Sequence, residues 1–268
     1  MPKPVIVIGA GRMGTALRRW LAEGQRPVRA VRGRRVDDFR TRWEAMPPAL
    51  MLLAIPDDAL APMAKRLAAW GSWQGWRIVH TSGARPAAVL DPLRQAGGAV
   101  ASMHPMMTFS PQSATLPDGI VFSLEGDKAA VQAAAKLVRA WRGVALRLSP
   151  AEKAAYHLAA TLVGPGAVVQ MAAAEAILRL AGLNPGQAKR ARAGLVRLLG
   201  ATAANLTAGT TVAAFTGPWA RGDRGTMRLH RRWLKAGLAD SRLRHLYAAL
   251  ELNGRAWLPG PGPPGSRI

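Results

Sequence analysis

The residues most able to do chemistry begin with GAGRMG, Gly9 to Gly14, set directly after the apolar run VIVI and directly before a helical pattern. In that placement a GxGxxG run has a physical meaning: Gly9 permits a tight turn, Gly11 lets the backbone approach a diphosphate, and Gly14 allows the helix to pack close to the strand. The amides of Arg12 and Met13 would open the helix with free N–H groups and the positive end of its dipole. A dinucleotide is the ligand this arrangement predicts. In an NAD protein an acidic residue about 20 positions downstream would take the ribose 2′-hydroxyl. This chain instead reads VRAVRGRR, with no acid before Asp37. Arg32 and Arg34, with Arg35 beside them, can grip a 2′-phosphate through paired charge-assisted hydrogen bonds, so NADP(H) is the expected cofactor. An arginine-rich loop with no ligand would show the same letters. Ile55 and Pro56, in AIPDDAL, are expected to line the same crevice at a strand end. Asp57 either caps the next helix or touches the cofactor.

Two further strand ends carry polar groups. RIVHTSGA presents His80, Thr81, Ser82 and Gly83, and VASMHPMMTF presents His104. Reduction of a carbonyl adds hydride to carbon and needs a positioned acid at the developing alkoxide, a task suited to histidine near neutral pH. His104 is the stronger candidate, because His80 lies earlier on its strand and reads as buried. In SPAEKAAYHLAA, Lys153, Tyr156 and His157 fall three and four apart, so one helical face can present all three. That face either closes over a nicotinamide or shows an exposed lysine beside a partly buried Tyr and His. A Gly and Pro loop, FTGPWARGDRGTMRLH, carries Arg221, which could bind a substrate carboxylate, and Asp223, which together with Arg221 could equally fix the loop and cap the following helix.

These groups need a scaffold that brings strand ends together. The first half alternates short β-like runs with helical stretches, the pattern of parallel βαβ units. Strands are expected at 5–8, 28–31, 50–55, 77–80, 100–103, 120–123 and 144–148, several of them continuously apolar as strands covered on both faces should be. Helices are expected after Gly14, where Met13, Leu17 and Leu21 form one stripe, and at 58–70 and 128–141. After Ser149 the strands stop and Ala-rich, Leu-rich helices take over, with Ser149 as N-cap and Pro150 at the first helical position. The expected architecture is α/β: a Rossmann-type doubly wound parallel sheet over residues 1–148, an all-helical second domain over 149–253, and a disordered Pro and Gly tail over 254–268.

Composition narrows the function. With no cysteine there is no disulfide framework, thiolate nucleophile or cysteine zinc site. The five histidines lie far apart in sequence, and no metal site is expected. The N-terminus enters an apolar strand at once without a secretory pattern, and the chain is expected in the cytoplasm. The stretch 158–180 comes nearest to a membrane span but is broken by Gly164, Pro165, Gly166, Gln170 and Glu175. It reads as a buried helix, one able to support a homodimer. The net charge of +22 reads as a solvated basic surface that attracts anions such as NADPH, with neither a nucleic-acid partner nor a membrane expected.

Taken in order, GAGRMG, AIPDDAL, HTSGA, SMHPMMTF, KAAYHLAA and FTGPWARGD resemble the short predicted oxidoreductases that join a Rossmann-like N-terminal domain to a helical C-terminal domain of unknown function. The resemblance reaches to about residue 250. It implies the 6-phosphogluconate dehydrogenase-like group, near pyrroline-5-carboxylate reductase, ketopantoate reductase and prephenate dehydrogenase, whose members act on small carboxylates and commonly dimerise through their helical domains. The HPM run at His104 is similar to a prephenate dehydrogenase motif whose histidine touches the substrate hydroxyl, and Ser82 is placed like a serine there. The broader group pairs a catalytic lysine with an asparagine, whereas this chain reads Gly164 and Pro165 near that position. The expectation is therefore an NADPH-dependent reductase of a small anionic carbonyl or imine compound, with His104, Ser82, Lys153 and His157 around the reacting carbon. The alternative is an NADP-binding sensor or scaffold without catalysis.

Overall fold

Each strand of the first half alternates its side chains between two helical layers. In the computed structural model Val5 and Val7 join one core with Leu17 and Leu21, while Ile6 and Ile8 join the other with Leu60 and Leu67. The structure describes residues 4–24, 26–31, 33–109, 117–236 and 240–258, with only the backbone described for Arg34 and Arg255. Seven strands form one sheet: β1 (Val5–Ile8), β2 (Val28–Val31), β3 (Leu50–Leu53), β4 (Arg77–His80), β5 (Ala99–Pro105), β6 (Val121–Gly126) and β7 (Val144–Arg147). Their order is β2-β1-β3-β4-β5-β6-β7. The helices α1 (Arg12–Glu23) and α5 (Lys128–Ala140) cover one face, and α3 (Asp57–Ala68) and α4 (Asp91–Gln95) cover the other, with α2 (Arg40–Glu44) beside them.

The strands from β1 to β5 are parallel, so the ends of β1, β3, β4 and β5 share one edge of the sheet. The sequence predicts a parallel sheet throughout, but β6 pairs antiparallel with β5, and β7 runs parallel to β6. A parallel neighbour needs a crossover that returns the chain to its starting edge. Residues 106–120 contain no described helix to make that return, so the chain turns back beside β5. The third strand ends at Leu53, earlier than expected, because Pro56 has no N–H for a ladder and instead opens α3 as its N-cap.

The chain divides into two compact units, Met1–Pro165 and Gly166–Ile268. The secondary structure turns helical at Pro150, yet the first unit continues to Pro165, because the opening turns of α6 (Pro150–Leu180) bury Lys153. The second unit holds the rest of α6 with α7 (Pro185–Ala208), α8 (Thr211–Ala214), α9 (Arg224–Lys235) and α10 (Ser241–Trp257). Asn184 and Gln187 close a reciprocal capping box at the start of α7. Met227 and Leu234 give α9 its buried stripe, and Trp219 and His230 both meet Tyr247 of α10. Residues 254–257, expected in the tail, are the last turn of α10, and 259–268 lie outside the described residues.

The expectation of a buried helix over 158–180 does not hold within one chain. Lys153 is the one buried residue of α6, while Leu158 is 60%, Leu162 67% and Val163 77% exposed. By length and composition α6 could cross a membrane. A helix apolar on most sides needs cover that the described residues do not give it.

Candidate functional site

At the first strand end the glycines divide their work. Gly9 has φ +131°, and a Cβ there would lie 2.0 Å from the Ala54 carbonyl oxygen, so the turn admits only glycine. A Cβ at Gly14 would lie 2.4 Å from the Gly9 carbonyl oxygen, which is the close helix-to-strand packing expected of it. A Cβ at Gly11 would meet nothing within 4 Å among the described residues, so the space beside its backbone is open there. The first turn of α1 carries no acid and no side-chain cap, so among the described residues the amides of Arg12, Met13 and Gly14 stand open to an anion. These residues fit a dinucleotide diphosphate. The Arg12 guanidinium donates to the Phe109 carbonyl at 3.4 Å and ties this helix start to the segment after β5.

Beyond β2 lies a hollow of about 380 Å³ lined by Ala30, Val31, Arg35, Asp38, Phe39 and Arg42. It sits where the adenosine end of a dinucleotide would rest in such a fold. Asp37, the first acid after the strand, is taken: Arg66 binds both its oxygens and holds its carboxyl below the usual range. Arg35 pairs with Asp38 at 2.6 Å. Of the expected phosphate-binding pair, Arg32 lies outside the described residues and Arg34 is described by backbone alone. Arg42 is a cation that sequence reasoning missed, because it sits on a short helix well past the fingerprint.

The other strand ends converge on Lys153. Its Nζ donates to the Ser102 hydroxyl at 2.6 Å and to the Ser82 carbonyl at 3.3 Å, and Ser102 itself donates to that carbonyl at 3.2 Å. The Ser82 hydroxyl donates to Asp57 Oδ2 at 2.8 Å and accepts from the Arg85 amide at 3.0 Å. Lys153 is fully buried, and burial pushes its ammonium down to about 8, with Glu125 and Asp57 pulling the other way. Buried Glu125 accepts from the Ala87 amide at 2.6 Å and lies opposite Ser102 across the β5 and β6 pair.

His80 is a structural pin. The Ser82 amide donates to its Nδ1 at 3.2 Å, which leaves the proton on Nε2 to donate to the Pro86 carbonyl at 3.3 Å. Burial holds its imidazole down to about 3. His104 differs: it is half-buried, and its ring meets His157 edge-on with centroids 5.5 Å apart. A Cβ at Gly83 would lie 2.9 Å from Nε2 of both rings and 2.2 Å from His157 Cδ2, so the missing side chain is what lets the two imidazoles converge. Burial, with His157 and Lys153 adding like charge, holds His104 down to about 4.

The structure therefore gathers Ser82, His104, Lys153 and His157, with Lys153 fully buried and not exposed beside a partly buried Tyr and His. Asp57, for which helix capping was one reading, occupies the first turn of α3 and serves Ser82 instead. Ser102, Ser123 and Glu125 were missed, although polar residues two apart on otherwise apolar strands were the available signal. Ile55 and Pro56 follow β3 at the ligand edge. In the second unit Asp223 caps α9, taking the Thr226 amide at 3.0 Å and hydroxyl at 2.7 Å, while Arg221 is exposed on the loop before it. Among the described residues no group of three or more His, Cys, Asp or Glu gathers as a metal site would require.

Residues 120–253, half of the chain, match the family model described as Domain of unknown function (DUF2520), and residues 3–105 match that of a Rossmann-like domain. The chain belongs to the DUF2520 family. Solved structures with the same fold include a protein of Thermotoga maritima at 22% identity and TM-score 0.69, covering 94% of this DUF2520 chain and 99% of that one. A candidate NADP oxidoreductase of Bacteroides fragilis aligns at 21% identity and TM-score 0.70, covering 94% and 97%. An imine reductase of Streptomyces aurantiacus aligns at 18% identity and TM-score 0.61, covering 95% of each chain. A search of curated proteins gives no significant match.

Proposed function

We propose that this chain is an NADP(H)-dependent oxidoreductase that reduces a small anionic carbonyl or imine compound. One observation carries the reading: the open, uncapped helix start at Gly11 shares a sheet edge with the paired imidazoles of His104 and His157. The fold relatives described as NADP oxidoreductase and imine reductase agree with it.

The amides of Arg12, Met13 and Gly14 hold the diphosphate, with Ile55 and Pro56 beside it. Arg32, Arg34, Arg35 and Arg42 are the cations for a 2′-phosphate. When bound, the reduced nicotinamide supplies hydride. His104, kept neutral by burial and by the charge of Lys153, offers a hydrogen bond to the carbonyl oxygen or imine nitrogen. His157, on the same side of Gly83, delivers the proton as negative charge develops. Lys153 is a positioning residue: it fixes the Ser82 carbonyl and the Ser102 hydroxyl, and its charge adds to the burial that keeps His104 unprotonated. Arg221 is the candidate for a substrate carboxylate, whereas Asp223 is spent on its helix cap.

The apolar side of α6 fits a second copy of this chain better than a bilayer, because Gln170, Glu175 and Arg179 interrupt its length and Glu175 pairs with Arg192 at 2.8 Å. A homodimer in the cytoplasm follows from that reading. Leu162→Glu should then yield monomer by sedimentation.

Calorimetry with NADPH and NADH, followed by turnover assays on keto acids and cyclic imines, tests the whole proposal. Tight NADPH binding with turnover is expected. Binding without turnover on any of these substrates would favour a sensor, and no heat from either nucleotide would overturn the assignment.

A further inference from the structure

Behind His104 lies a set of polar atoms that the proposed reaction does not use. Ser123 on β6 stands directly opposite His104 on β5, so the two side chains leave the same face of the sheet within about 5.5 Å at Cβ. Tyr156 of α6 presents its ring edge-on to the His104 ring, with centroids 6.2 Å apart. The His104 Nδ1, the Ser123 hydroxyl and the Tyr156 hydroxyl are all buried; the two hydroxyls lie near enough for Ser123 to favour the Tyr156 phenolate, but none of the three makes a well-formed hydrogen bond among the described residues. Leaving one such group unpaired costs about 1 to 3 kcal/mol, so three together in one neighbourhood call for a common solution.

The chemistry of the three atoms says how they share protons. A phenol is a better donor than a neutral imidazole N–H, and an imidazole nitrogen is a better acceptor than either hydroxyl, which itself can both donate and accept. Burial lifts the Tyr156 phenol above its ordinary value, with the hydrogen-bonding approach of the Ser123 hydroxyl opposing, so the phenol keeps its proton as a donor. A buried water typically makes about three hydrogen bonds to groups of this kind, which matches the number present.

We propose that Ser123 and Tyr156 are positioning residues whose hydroxyls, through one shared internal water, donate to Nδ1 of His104 and so fix its proton on Nε2, the nitrogen beside Gly83. This rests on the functional reading above for the role of His104, but not for its protonation. The groups that face the ring are His157 and Lys153 of α6, and both remain in the variants below.

The test uses nitrogen-15 histidine spectra of the full chain without nucleotide, with His104→Gln assigning the resonance. The expected result is a neutral His104 protonated on Nε2. In Tyr156→Phe and Ser123→Ala, which remove only hydroxyls, Nδ1 loses a donor, the neutral form loses stability, and the ring titrates at higher pH. The double variant should also populate the other tautomer. Circular dichroism establishes that each variant is folded, and should one fail to fold, the other decides. A wild-type His104 protonated on Nδ1, or a tautomer and titration unmoved in a folded variant, overturns the proposal. Turnover without this tautomer would leave the reductase reading standing, and the tautomer without nucleotide binding would leave this one.

Discussion

The Nζ of Lys153 stands 2.6 Å from the hydroxyl of Ser102, at the end of a chain that runs through both polar groups of Ser82 to Asp57. The chain links the ends of β4 and β5 to the starts of α3 and α6, so one buried cation fastens four elements around the candidate site. Replacing Lys153 removes a positive charge that opposes protonation of His104. In Lys153→Met the His104 imidazole should titrate above about 4, yet still below the ordinary histidine range because burial remains the larger cause. Histidine proton spectra across pH would read it. A titration unchanged from wild type would mean that the lysine charge does not reach His104.

The same lysine predicts a pH-dependent stability. Its folded value, about 8, lies below the ordinary 10.5, so between those limits the unfolded chain binds more protons and stability rises with pH. Below about pH 8 both states carry the proton, and the penalty of the buried charge is complete. Subtracting the urea unfolding energy of Lys153→Met from that of wild type should give a difference that is flat below pH 8 and climbs toward pH 10.5. A flat difference over the whole range would show that the ammonium is not desolvated.

The glycines of the first turn separate folding from binding. Gly9→Ala places a methyl against the Ala54 carbonyl at a positive φ and should destabilise the protein by about 3 kcal/mol or more. Gly11→Ala meets nothing within 4 Å among the described residues, so its melting temperature should match wild type while NADPH affinity falls at least about tenfold, or 1.4 kcal/mol. Melting curves paired with calorimetry distinguish the two. Equal NADPH affinity in Gly11→Ala would remove the cradle from the binding site.

Charge reversal in the hollow beyond β2 tests cofactor choice. Arg42→Glu should weaken NADPH at least about tenfold and leave NADH within about twofold, because only the 2′-phosphate loses a partner. Equal losses for both nucleotides would instead indicate damage to the adenosine pocket itself.

Much of this was legible in the sequence, for reasons that differ by element. The runs VIVI and RIVH read as β1 and β4 because strands covered on both faces are continuously apolar, and GAGRMG declared itself through its place between strand and helix. Strand direction did not show: side-chain alternation is the same for parallel and antiparallel neighbours, so β6 was assigned the wrong direction. Asp57 invited a capping role because acids open helices, and its partner Ser82 lies 25 residues away where local pattern carries no information. The burial of Lys153 was likewise set by β4 and β5 and not by its own helix. Ser123 looked like an ordinary strand residue until its register with His104 was known.

The crowding of indoles in the first unit has a practical consequence. Trp43, Trp70, Trp73 and Trp76 pack together against one side of the sheet, and Trp20 and Trp141 touch on the other. Tryptophan emits light in the band that a reduced nicotinamide absorbs. Under the proposed function the indoles would serve as a built-in optical gauge, expected to be quenched when a reduced dinucleotide is added and restored when it is removed, with no dye to attach.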